Sequence, residues 1–230
     1  QAAKRPEIRG KAMFVGHYGP AGAAAGRSLK LWHCFIAVQF LDILWAPFVL
    51  AGIEHLRIVP HFTASNHLDL YHMPVTHSLP MAAFWSLFAA LAYRLLRPKA
   101  GAGGAAVIGL LVFSHWVLDF LAHKPDLLLY FGGPKVGLGL WDNRPLSFGV
   151  EMALFYGGLA VYLLRTDTKI VLGRIAPLLL ALLALGAQII ANWGPPPEGP
   201  EEAAMTAIIA YAVFTALALF VDLTRVPKRA

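Results

Sequence analysis

Side chains able to do metal chemistry sit inside the most apolar parts of this sequence. His115 and Asp119 lie four residues apart within Leu110–Leu121, about one helical turn, so both project from one face of a helix. Imidazole and carboxylate at that spacing form a natural metal-ligand pair, and ionisable groups in hydrocarbon are rarely there without a partner or a task. His17, Asp42 and His77 lie in separate segments. With His115 and Asp119 they make three imidazoles and two carboxylates, a set that suits zinc, with manganese or iron as alternatives. Glu151 and Asp69 are candidates for a base or for support of the ligands, and His72 for an outer ligand or substrate contact. Lys124, Lys135 and Arg144 are candidates to hold a phosphate or other anion. The chemistry implied is hydrolysis, with one ion beside a base or with two ions about 3.5–4 Å apart clamping the attacking and leaving oxygens.

Apolar spans must position these residues. Of 230 residues, 58% are hydrophobic and 14% charged, and the mean hydropathy is +0.61. Soluble domains carry about 25% charged residues, so the chain reads as an integral membrane protein. The net charge of +6 does not point to nucleic acid, because the basic residues gather at the ends of apolar spans. The single cysteine, Cys34, excludes an intramolecular disulfide and a cysteine-rich zinc site. Spans of membrane-crossing length fall near 30–54, 78–97, 102–122, 147–164, 173–193 and 203–222. Segment 13–26, rich in Gly and Ala, is expected to be a short helix that packs closely on a neighbour and runs antiparallel to span 30–54. Residues 1–12 read as a polar tail, and the first apolar segment lacks a leader pattern.

The expectation is therefore an all-α, polytopic membrane helical bundle of six transmembrane helices plus a short N-terminal helix, itself a candidate seventh crossing. Residues 13–230 form one membrane-embedded domain, with the motif-bearing core at 13–164 and accessory helices at 173–222. Arg27, Lys30, Arg94, Arg97, Lys99, Arg165, Lys169, Arg174, Arg225, Lys228 and Arg229 fall on one side, which the positive-inside tendency makes cytoplasmic. On the opposite side lie loops 55–77 and 123–146, of a length that is commonly functional. His55, His61 and His67 read as solvated loop residues, His33 as facing the cytoplasmic interface, and His123 as an outer ligand or substrate contact. The tryptophans read as interface anchors or packing, with Trp141 a candidate pocket wall.

Counting helix rise at about 1.5 Å per residue puts His17 and Asp42 about 16–21 Å above the turn near Ser28. The same count puts His115 at about 18 Å, Asp119 at about 24 Å, Glu151 at about 21 Å and His77 at about 25–30 Å. The polar residues thus converge on one layer in the outer half of the membrane.

Gly16-His17, Leu41-Asp42, His72-x-x-x-Thr76-His77-Ser78-Leu79 and Ser114-His115-x-x-x-Asp119, in this order, resemble the motifs of bacterial membrane-bound metal-dependent hydrolases. That family includes the LexA-regulated inner-membrane hydrolase, and it is similar in turn to the zinc-dependent phospholipase C and single-strand nuclease superfamily. The resemblance implies that His17, Asp42, His77, His115 and Asp119 bind catalytic zinc. It also implies phosphoester hydrolysis of a lipid-like or small anionic substrate, in a bacterial inner membrane with the site facing the periplasm. Two other readings accompany it. Intramembrane His and carboxylate residues also build proton relays in ion-coupled transporters, although the inverted repeats of such proteins are not found. A non-catalytic subunit would use the same polar layer only to cement helices.

Overall fold

The computed structural model describes residues 15–26 and 28–228. The tail expected over 1–12, and with it Met13, Phe14, Arg27, Arg229 and Ala230, lies outside the described residues. A 3-10 turn, Val15–His17, leads into α1 (Tyr18–Ala24). The helices α2 (Leu31–Val38), α3 (Phe40–Leu50), α4 (Leu79–Leu96), α5 (Gly101–Ala122), α6 (Arg144–Arg165), α7 (Leu172–Trp193) and α8 (Pro200–Thr224) follow. Three short antiparallel ribbons join them. They are β1 (His55–Ile58) with β2 (Leu68–His72), β3 (Leu127–Leu128) with β4 (Lys135–Val136), and β5 (Thr166–Thr168) with β6 (Arg225–Pro227). The architecture is all-α.

Five helices, α4 to α8, are long and apolar enough to cross a membrane, and α2 with α3 makes a sixth span if the bent pair counts as one. Leu87, Leu91 and Leu95 of α4, Leu110 of α5 and Leu164 of α6 are exposed, and α4 buries only Ala82 and Ser86. Helices apolar on every side belong in hydrocarbon. Local sequence sets the helix starts. Pro80, Pro145 and Pro200 occupy first-turn positions, where a missing N–H leaves no bond unmade. The Asn143 side chain accepts the Leu146 N–H at 3.1 Å, and Glu201 and Glu202 complement the dipole of α8.

The continuous helix expected over 30–54 is instead two helices, bent by 50°. The break is Gln39 (φ −105°, ψ 10°), with no proline or glycine at hand. At this point His115 Nδ1 lies 2.7 Å from the Val38 carbonyl, and a side chain inserted into the helical ladder is a recognised cause of a kink.

α5 is the most buried of the five spans and packs against α1, α2, α3 and α4. α1 lies on α6 with backbone almost touching backbone. A Cβ on Gly19 would overlap the Leu154 backbone, and one on Gly22 or Gly158 would overlap the glycine of the facing helix. Small residues are what allow helices this close in a membrane, and the closeness brings His17 to the centre of the bundle.

Where the basic residues gather, β5 pairs with β6 and ties α6 to α8, in register Thr166↔Pro227 to Thr168↔Arg225. Asp222 there accepts the Trp32 N–H at 3.1 Å and the Tyr162 hydroxyl at 3.0 Å. Arg225 donates to Thr166 Oγ1 (2.9 Å), Thr166 O (2.7 Å) and Gly173 O (2.7 Å).

Candidate metal centre

Four segments deliver side chains to one buried layer. α5 contributes His115 and Asp119, the turn before α1 contributes His17, α3 contributes Asp42, and the turn before α4 contributes His77. The last turn is held by its own contacts: Ser78 Oγ donates to Pro74 O (2.7 Å), Trp85 Nε1 to Val75 O (2.8 Å) and Trp116 Nε1 to His77 O (3.0 Å). The side chains of His17, His77, His115 and Asp119 are all less than 5% exposed, whereas Asp42 is 23% exposed. The layer therefore opens on the Asp42 side.

The hydrogen bonds fix which ring nitrogen faces the cluster. Thr76 gives its one hydroxyl proton to Glu54 Oε2 at 2.6 Å, so His77 Nδ1, 2.6 Å from Thr76 Oγ1, is the donor in that contact. His115 Nδ1 likewise donates to the Val38 carbonyl. In the neutral rings both Nε2 atoms are then bare acceptors pointing inward. They meet Asp42 Oδ1, 3.3 Å from His77 and 3.5 Å from His115, and Asp119 Oδ2, 3.5 Å and 3.2 Å from the same rings. Asp119 Oδ2 is buried with no hydrogen-bond donor. Imidazole nitrogens and carboxylate oxygens gathered this closely call for a cation, either a proton or a metal ion, between them.

Their spacing suits a metal ion. The edge of a regular tetrahedron is about 1.63 times its centre-to-corner distance, so zinc bonds of about 2.0–2.1 Å require ligand separations of about 3.3–3.4 Å. His77 Nε2 and His115 Nε2 are 3.4 Å apart, and Asp42 Oδ1 and Asp119 Oδ2 each lie 3.2–3.5 Å from both. Asp42, His77 and His115 could hold a metal ion, as could the overlapping trio of His17, His115 and Asp119. His17 Nε2 faces two acceptors, Asp119 Oδ1 at 3.3 Å and the His115 carbonyl at 3.2 Å.

Asp119 Oδ1 also lies 3.3 Å from Nε2 of His123, whose Nδ1 is 2.9 Å from Asp126 Oδ1. Burial alone would strip the proton from His123, but Asp126 and Asp119 prevail and push the imidazole up to about 10. The two oxygens of Asp119 therefore differ. Oδ1 meets His17 and a protonated His123, while Oδ2 meets the Nε2 atoms of His77 and His115.

A cavity of about 50 Å³ adjoins the cluster, room for roughly three to five water-sized groups. Asp42, His77 and Asp119 line it and His115 does not, so the cavity meets the cluster on the side away from His115. Trp45, Leu68, Leu70 and Met73 form apolar walls, and Tyr211 reaches in from α8 with its hydroxyl 2.5 Å from Asp42 Oδ2.

Two loops close the cavity. The glycine-rich 132–141 segment lies over the end of α5, where Leu138 N–H donates to Phe120 O (2.8 Å) and Gly139 N–H to His123 O (2.6 Å). A Cβ on Gly137 would overlap the His123 and Lys124 carbonyls, so only glycine permits this approach. Trp141 stacks on His123 at 4.3 Å.

The three basic candidates do structural duty in this lid. Lys124 Nζ donates to Phe62 O (2.7 Å), Lys135 Nζ to Tyr71 O (2.6 Å) and Arg144 Nε to Ala64 O (2.5 Å), fastening the hairpin β1–β2 to the segments around it. Lys124 also pairs with Asp142 at 3.2 Å. Asp69 is engaged by Arg57 at 2.5 and 3.0 Å. His72 is exposed on β2 and stacks on His55, away from the cluster. His67 accepts the His61 N–H at 2.9 Å, and burial, then His61 and Arg144, hold it below the usual histidine range. Glu151 is buried behind Trp141 and Asn66, in a separate void of about 10 Å³ with Ser65, Gln188 and Asn192. It accepts from Ser147 Oγ at 3.1 Å.

Sequence reasoning missed Glu54, which is fully buried and accepts from Val75 N–H (2.8 Å), Thr76 N–H (2.9 Å) and Thr76 Oγ1. It missed Tyr211 as well. A carboxylate at the end of an apolar span was a usable signal for the first. A tyrosine in a motif-free helix was none for the second. Compared with known proteins, the chain matches no protein-family description, no curated protein and no solved structure.

Proposed function

We propose that the protein is a membrane-embedded, metal-dependent hydrolase whose site binds zinc through Asp42, His77, His115 and Asp119. The observation that carries this reading is a set of buried His and Asp ligand atoms spaced 3.2–3.5 Å apart, with one side open to a cavity. A site used only for structure needs no such opening. A zinc ion bound there supplies Lewis acidity for hydrolysis at neutral pH. The chain's own residues do the rest. Glu54 through Thr76 orients His77, the Val38 carbonyl orients His115, and Tyr211 orients Asp42. Such outer partners commonly set ligand geometry and affinity. His123 holds a proton at Nε2 beside the cavity, placed to donate to a leaving group. The apolar walls and the two closing loops exclude bulk water.

The resemblance of Gly16-His17, Thr76-His77-Ser78-Leu79 and Ser114-His115-x-x-x-Asp119 to bacterial inner-membrane hydrolases supports a phosphoester of a lipid-like or small amphiphilic molecule as substrate. The cluster lies at the end of the bundle away from Arg94, Arg97, Lys99, Arg165 and Lys228, which supports a periplasmic site in a bacterial inner membrane. Purified protein loaded with zinc is expected to hydrolyse short-chain phospholipids or aryl phosphate esters, and H115A and D119N to lose both zinc and hydrolysis. Turnover undiminished in zinc-free D119N would refute the proposal.

A further inference from the structure

The cavity is lined by two residues whose donors no described residue satisfies. Trp45 Nε1 and Asn66 Nδ2 are both buried without a hydrogen-bond acceptor, their residues are 5% and 3% exposed, and both line the cavity beside Asp42, His77 and Asp119. A buried N–H left unpaired forfeits its hydration with nothing in return, and native proteins seldom keep two such groups together without use. Indole Nε1 can only donate. Asn66 cannot be turned to present its oxygen instead, because Oδ1 already accepts the Leu68 N–H at 2.8 Å. Acceptor oxygens placed in the cavity would satisfy both donors, one on α3 and one on the loop that carries Asn66.

We infer that Trp45 and Asn66 form the oxyanion-binding part of the site and receive the non-bridging oxygens of a phosphate group. The inference rests on the hydrolase reading for the ion beside them. Counting oxygens selects the ligand class. One oxygen goes to the ion, one to Trp45 and one to Asn66, and a carboxylate has only two to give. A phosphate monoester has three non-bridging oxygens and a diester only two, so the count selects a terminal phosphate, and a volume of about 50 Å³ admits such a head group but not the remainder of a lipid. That remainder would lie along Leu68, Leu70 and Met73, which means lifting the hairpin to admit it. Neither Lys124, Lys135 nor Arg144 is needed for binding in this scheme, since each is bonded to a backbone carbonyl.

The test is titration calorimetry of the zinc-loaded full chain in detergent, with inorganic phosphate, acetate and dihexanoyl phosphatidic acid as probes. W45F removes the indole N–H with little change of shape, and N66D keeps the oxygen that holds Leu68 while replacing the donor. Zinc content is measured on each preparation. The expected result is phosphate binding tighter than acetate, weakened about tenfold or more in W45F and in N66D, with zinc content unchanged. Tighter binding of the phosphatidic acid than of phosphate assigns the site to a lipid head group, and equal binding assigns it to the free anion. Phosphate binding that is absent in zinc-loaded wild type, no tighter than acetate, or undiminished in both variants overturns this inference while leaving the zinc site intact. Failure of the wild type to bind zinc overturns the hydrolase reading along with it.

Discussion

Two clusters of buried polar residues lie at opposite ends of the bundle, and they differ in what they leave unsatisfied. At the basic end, Asp222 has the Trp32 N–H and the Tyr162 hydroxyl as donors, and Arg225 spends its guanidinium on Thr166 and Gly173. At the other end, Asp119 Oδ2 has no hydrogen-bond partner among the described residues, and two histidines turn their Nε2 atoms toward it. Both clusters are costly to bury. Only the second has bonding capacity left over for something the chain does not contain. Burial of a charge is thus a weak sign of function, and unspent valence at a spacing that fits a ligand is a much stronger one.

Removing the leftover capacity should have the largest effect. D119N replaces a carboxylate of the cluster with an amide, and zinc measured by mass spectrometry should fall from one ion per chain to background. Retention of the ion would put the two clusters on the same footing. E54Q comes next. It disturbs the acceptor that fixes the proton on His77 Nδ1, and losses of about 10–100-fold in metal affinity are typical for partners of this kind. Competition with a chelator measures it, and unchanged affinity would leave Glu54 as a brace for the 75–76 turn alone. D222N should do the opposite. It should cost about 1–2 kcal/mol of stability, discounted for its partial exposure, and leave zinc content untouched.

The smallest effect concerns His123. Its proton is held in the folded protein to about 10, against an ordinary value of 6.5. The stabilisation it contributes is therefore fully present below about pH 6.5 and is lost as pH rises toward 10. In metal-free protein the melting-temperature difference between wild type and H123Q should shrink over that window. A difference that grows with pH would show that the proton is not shared with Asp119 and Asp126.

The helical spans from α4 onward were legible in the sequence because lipid imposes a length and an apolarity that nothing else mimics. His115 and Asp119 were legible by the four-residue period of one helix, and Asp42, His77 and His17 by depth. The break at Gln39 was not, since it arises from a histidine 76 positions away in sequence, at 115 rather than 39, bonding near it. The hairpin over 55–72 was read as a loop, because its strands are short and carry histidines rather than an alternating apolar pattern. Lys124, Lys135 and Arg144 look alike to sequence whether they meet an anion or a carbonyl. Only the fold shows that each reaches the carbonyl of a residue 62 to 80 positions distant.

X-ray absorption of the zinc-loaded protein addresses the central claim most directly. The account predicts one zinc per chain, bound only by nitrogen and oxygen at about 2.0–2.1 Å, with the imidazole scattering of two histidines, and loss of that signal in D119N. A fully hydrated ion, or the same spectrum from D119N, would contradict it.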